Sequence, residues 1–138
     1  MRYVLLNLLA CPMCRSFPLR LYVFEEAVID KRFSVRTPFC DLYCARRGAY
    51  VKDLQVGELD CSECVRHDIT WGILHCTNCG RWYPVIDGIP FMYPDELRVK
   101  PRIRGKEDEF LKKFGDRIPP EVLERDPLRQ ARSGPTQG

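Results

Sequence analysis

The chain has 138 residues, of which 45% are hydrophobic and 30% charged, and a formal net charge of +3. That length and balance favour one ordinary globular domain with appendages and exclude an intrinsically disordered chain. A charge so near neutral also argues against a protein that grips nucleic acid by a dense basic surface of its own, while permitting RNA contact.

Residues 2–10 (RYVLLNLLA) are apolar enough to be core, as a short helix or a strand. This run is short and meets Cys11 rather than a small-residue cleavage site, so it does not read as a signal peptide. No stretch approaches a membrane span, and a cytoplasmic location is expected. After Cys11-Pro-Met-Cys14, Leu19, Leu21 and Val23 alternate with Arg20, Tyr22 and Phe24, the period of a strand. Residues 25–68 read as an insertion broken by Pro38, Gly48 and Gly57, with a helix expected within 41–51. Residues 69–75 (ITWGILH) are β-branched and aromatic and predict a strand entering Cys76-Thr-Asn-Cys79. Arg81 to Ile86 and Ile89 to Tyr93 predict two strands joined at Asp87-Gly88, a pair suited to the positive φ angles of a two-residue hairpin turn. Pro84 and Pro90 place both strands at edges, because proline has no N–H for a ladder. Lys106 to Phe114 predicts a helix ended by Pro119 and Pro120, with Val122 and Leu123 in a last short one and residues 132–138 disordered.

The eight cysteines fall into four close pairs: 11/14, 40/44, 61/64 and 76/79. In a reducing cytoplasm such pairs are better explained by metal than by disulfides. A short loop lets two thiolates face one ion, and tetrahedral zinc takes four, so four pairs make two sites. The inner run, with three residues inside the first pair, two inside the second and sixteen between, is close to a familiar zinc spacing. It would give one site of Cys40, Cys44, Cys61 and Cys64 and leave Cys11, Cys14, Cys76 and Cys79 for the other. Sequential pairing, 11/14 with 40/44 and 61/64 with 76/79, is the rival. Four thiolates leave zinc no open position, which favours a structural ion over a catalytic one; tetrahedral sulfur also suits iron. His67 and His75 read as surface, core or supporting residues, and Glu25-Glu26 and the Glu107-Asp108-Glu109 run as solvated charges. No nucleophile triad, phosphate loop or dinucleotide motif is present in the sequence.

The opening LLNLLACPMC and the closing LHCTNCGRWYPVIDGIPFMYPDELR resemble the small zinc-binding activator subunit of transfer-RNA, ribosomal-RNA and release-factor methyltransferases. The resemblance covers residues 1–24 and 69–98 and is most specific in CGRWYPVIDGIP. It implies an α+β fold: a small zinc-ribbon-like β domain over 1–98, with the cysteine-rich insertion at 25–68, and a helical or disordered extension over 99–138. It implies no activity of the chain's own, and a heterodimer with a class I S-adenosylmethionine-dependent methyltransferase that the subunit stabilises and activates. Cys11, Cys14, Cys76 and Cys79 would be the family's zinc ligands. Leu5, Leu8, Leu9, Val85, Ile86, Ile89, Pro90, Phe91 and Met92 would lie at or near the partner. The second quartet, two zinc ions in all, departs from the family pattern.

Two other functions compete. An RNA- or ribosome-binding zinc ribbon would use Arg46, Arg47 and the run Arg98, Lys100, Arg102 and Arg104 against phosphates. An iron-binding electron carrier would be coloured.

Overall fold

The computed structural model describes residues 1–133, the last two of them by backbone alone. The strands are β1 (Arg20–Val28), β2 (Tyr43–Cys44), β3 (Ala49–Tyr50), β4 (His67–His75), β5 (Trp82–Ile86) and β6 (Ile89–Pro90). The helices are α1 (Cys61–Cys64), α2 (Asp95–Arg98), α3 (Pro101–Phe114), α4 (Pro120–Glu124) and α5 (Arg129–Ser133). The N-terminal apolar run resolves as a 3-10 turn, Tyr3–Asn7. The architecture is α+β: an antiparallel sheet in the order β1-β4-β5-β6, with the separate β2–β3 hairpin lying in the insertion.

Alternation along β1 and β4 gives the sheet two apolar faces. Register slips between Val23 and Glu25 and between Glu25 and Glu26 leave Phe24 and Thr70 without opposite residues. The extra residue at Thr70 returns Ile69 to the face of Leu74, whereas Trp71 and Ile73 point to the other. The first face packs against the N-terminal turn, with Met1, Tyr3, Leu6, Leu19, Tyr83 and Val85 as its core. The second is covered by α3 and α4: Phe110, Phe114, Ile118 and Val122 lie against Ile73 and Trp82. Aromatic rings make that contact, with Phe110 6.1 Å from Trp82 and Phe114 5.2 Å from Trp71, centroid to centroid.

Several expectations change. The sheet runs on to Val28 and resumes at His67, so the insertion is shorter than 25–68. Residues 41–51 make a β-hairpin, not a helix, with Tyr43 opposite Tyr50. Pro84 lies in an inner strand: its carbonyl accepts from Phe91 N at 2.8 Å, so its missing N–H falls on the same side, where β6 has already ended. The return strand is only Ile89–Pro90, while the turn is as expected, with φ of 49° at Asp87 and 81° at Gly88. The predicted helix starts earlier, at Pro101, a residue suited to a first turn. Of the tail expected to be disordered, residues 132 and 133 close α5 and the remainder lies outside the described residues. No helix among the described residues is long and apolar enough to cross a membrane.

Candidate metal centre

Antiparallel pairing assembles the first cysteine cluster. Arg20 stands opposite His75, so the start of β1 and the end of β4 share one end of the sheet. One cysteine pair precedes β1; the other follows β4 directly and leads into β5. The two loops are built alike. Arg15 N donates to Cys11 O at 2.8 Å and Gly80 N to Cys76 O at 2.9 Å; Cys11 N reaches Ser16 O at 3.0 Å and Cys76 N reaches Arg81 O at 2.8 Å. Each turn closes with a positive φ, 64° at Arg15 and 81° at Gly80. At Gly80 a side chain is excluded twice, because a Cβ would also stand 2.5 Å from Arg125 O.

The four sulfurs of Cys11, Cys14, Cys76 and Cys79 all lie within 4.8 Å of one another. Cys11 and Cys79 are 3.6 Å apart, and Cys14 and Cys76 3.4 Å. A disulfide would need about 2.0 Å. Two sulfurs held about 2.3 Å from one tetrahedral zinc lie about 3.8 Å apart. The donor set therefore fits a zinc-sized thiophilic ion. All eight cysteines are free thiols.

The surroundings polarise the sulfurs unequally. Burial pushes the Cys76 thiol up to about 12. Cys14 is drawn down to about 5 by its hydrogen bonds, with Asn78 first and then Ser16. Tyr83 OH lies 3.2 Å from Cys11 Sγ, and burial followed by that contact raises the phenol well above its usual range. A buried thiolate is costly without a cation, and a divalent ion supplies the compensating charge. His75 is buried and desolvation lowers its pKa, and its ring nitrogens are not among the donor atoms that the fold draws together here. His67 instead sits between Glu26, 3.1 Å away, and Glu63, 3.2 Å away.

The second quartet is placed differently. Cys40, Cys44, Cys61 and Cys64 all line one cavity of about 430 Å³, but among the described residues only the first quartet is drawn within 4.8 Å. Their carriers are short: a loop, a two-residue strand and the four-residue α1. No long paired strand pulls them together.

The residues expected at a partner surface divide. Val85 is 0% exposed and belongs to the inner core, so its assignment to a partner is corrected: β5 is an inner strand and Val85 faces the N-terminal turn. Leu5, Leu9 and Met92 are half-buried against that core. Ile86 is half-buried at the edge of the α3 cluster, and Pro90 and Phe91 are half-buried beside the turn. Leu8 at 81% and Ile89 at 60% exposure are open to solvent.

The charges expected to be solvated are not all so. Glu107 is 0% exposed and Arg98 2%, joined by a 2.9 Å ion pair, with Arg98 also donating to Trp82 O at 2.7 Å. Arg104 is buried as well, so half of the basic run proposed to meet RNA lies inside the protein.

Sequence reading missed the residues that brace the knuckles from behind. Arg81 forms a two-pronged pair with Asp95, at 2.9 and 2.7 Å. Arg125 donates to Thr77 O at 3.0 Å, inside the second knuckle. Trp82 Nε1 donates to the buried Asp126 at 3.0 Å. A proline followed by an aspartate at α2 was the one local signal, marking a helix start; the other partners are tens of residues distant in sequence and carried none.

Comparison with curated proteins returned no match. A family model described as Trm112p-like protein matches residues 2–88, which include every cysteine. The chain belongs to the Trm112p-like family, whose members are small zinc-binding activators of methyltransferases.

Proposed function

We propose that this chain is a non-catalytic subunit that forms heterodimers with class I S-adenosylmethionine-dependent methyltransferases in the cytoplasm, in complexes acting on tRNA, rRNA or translation factors. Family membership supports partnership with methyltransferases in general. The observation that carries the reading further is the outer edge of the sheet. Among the described residues β6 pairs with β5 alone, and its Ile89 side chain is exposed beside half-buried Pro90 and Phe91. An unpaired edge with apolar side chains can extend another sheet through main-chain hydrogen bonds.

In this reading zinc on Cys11, Cys14, Cys76 and Cys79 holds the two knuckles together and leaves no ligand position for chemistry. The second knuckle leads straight into β5, so the ion fixes the hairpin that carries Ile89 and Phe91. Leu8 on the N-terminal turn contributes apolar surface, with Leu5 and Leu9 behind it. Binding only the folded methyltransferase stabilises it by mass action. RNA contact, where it occurs, comes through the complex: burial of Arg98 and Arg104 removes much of the basic run.

The test is co-expression with candidate class I methyltransferases. Ile89→Asp is expected to abolish complex formation while zinc content and circular dichroism stay unchanged, and Phe91→Asp to do the same with some loss of stability. Recovery of the methyltransferase at wild-type yield with Ile89→Asp sinks the surface assignment.

A further inference from the structure

The insertion contains a second set of sulfurs that the first centre does not use. One half repeats the construction of the knuckles: Val65 N donates to Cys61 O at 3.1 Å, the four-residue closure seen after Cys11 and Cys76. In the other half Cys44 stands at the start of the β2–β3 hairpin turn, which Gly48 N closes on Cys44 O at 2.8 Å with a φ of 68° at Gly48. Asp60 caps α1 by accepting from Glu63 N at 3.1 Å, which holds Cys61 and Cys64 on one turn. All four cysteines of the set line one cavity of about 430 Å³.

We propose that Cys40, Cys44, Cys61 and Cys64 form a second site for a thiophilic divalent ion of the zinc type, and that the cavity between them contracts on that ion. Each thiol that binds releases its proton to solvent, so four thiolates around a divalent ion carry a net double negative charge. The wall supplies the complement: Arg2, Arg46 and Arg47 line the same cavity. Of the carboxylates there, Glu63 is paired with Arg66 at 2.8 Å and Asp60 is engaged as the cap.

The site also has a mechanical connection. Asn7 Oδ1 accepts from Tyr43 N at 2.8 Å and Leu42 N at 3.2 Å, and Asn7 Nδ2 donates to Tyr43 O at 2.8 Å. These bonds stitch the strand that carries Cys44 to the N-terminal turn that carries Leu5 and Leu8. An ion drawing in Cys40 and Cys44 therefore braces that turn from beneath.

The experiment is zinc titration of the full chain, with native mass spectrometry of the reduced protein and of Cys61→Ser/Cys64→Ser. About two equivalents are expected in the wild type and about one in the variant. A variant that lost the ion by losing the fold would give the same count, so alkylation of the wild type is mapped in parallel. Cys40, Cys44, Cys61 and Cys64 are expected to be protected with zinc and labelled after mild chelation, while Cys11, Cys14, Cys76 and Cys79 stay protected. One equivalent in the wild type at excess zinc overturns the proposal, as does labelling of the four insertion cysteines with zinc present. So does a mass about 2 or 4 Da low without reductant, the mark of one or two disulfides. The readout needs no methyltransferase, so it stands or falls apart from the partner reading.

Discussion

The two cysteine quartets use the same local chemistry and reach different states. In the outer quartet, knuckles flank two nine-residue strands paired along their length, and the sheet delivers four sulfurs to within 4.8 Å. In the inner quartet, one such turn sits on a four-residue helix, the other two cysteines lie in a loop and on a two-residue strand, and all four line one cavity. Sequence spacing identifies the knuckle; long-range pairing of the elements beside it decides whether the site is assembled by the fold or left for an ion to close.

The largest expected effect breaks the first side of that comparison. Replacing Cys76 and Cys79 by Ser removes half of an assembled, partly buried donor set. Structural zinc binding is worth on the order of 10 kcal/mol in small domains, comparable to the whole stability of a domain this size. Loss of cooperative thermal unfolding and of bound zinc is expected. Retention of both would mean that the sheet stands without its ion.

Next come the braces behind the outer site. Glu107→Ala leaves Arg98 buried without its carboxylate, and breaking such a pair costs about 3–5 kcal/mol. A depressed urea midpoint with an unchanged number of bound ions is the expected result. Asp126→Ala removes the carboxylate that accepts from the Trp82 indole N–H and costs about 1–3 kcal/mol in the same assay. If either change releases zinc before the fold melts, brace and ion are one cooperative unit, and the comparison needs redrawing.

How much of this was legible depended on the distance over which a residue's role is decided. The strand expected over 69–75, the Asp87-Gly88 turn and the 11/14 and 76/79 knuckles are written within a few residues; the strand begins two residues earlier than read, at His67, and the turn has the expected positive φ angles. The nested set of Cys11, Cys14, Cys76 and Cys79 was legible because one quartet's spacing left the other as remainder. The 41–51 hairpin was not: strands of two residues carry no measurable period, and Tyr43 opposite Tyr50 looks the same on a helix face. Nor was the tail's role. The helix expected over Lys106 to Phe114 carries Phe110 and Phe114 four residues apart, on one face, but nothing local told whether Trp71 and Trp82 or a partner would meet them. Glu107 read as solvated because its neutralising partner, Arg98, lies outside the run. Val85 read as partner surface because a two-sided apolar strand looks alike whether its second face meets the chain's own turn or another protein.

The smallest effect on stability tests the inner side. Cys61→Ser/Cys64→Ser is expected to move the main thermal transition by less than about 2 kcal/mol, an ordinary single-site cost, while losing the second ion. Damage equal to that of Cys76→Ser/Cys79→Ser would show that the two quartets are not independent.

The central claim is that the outer quartet fixes an edge through which a class I methyltransferase is held. The most direct measurement is affinity purification of the tagged chain and of its Ile89→Asp variant, side by side from native cells, with bound proteins identified by mass spectrometry. The account predicts a class I methyltransferase in near-stoichiometric amount with the wild type and its loss with the variant. Ribosomal proteins or RNA without a methyltransferase, or a methyltransferase retained equally by both, would contradict it.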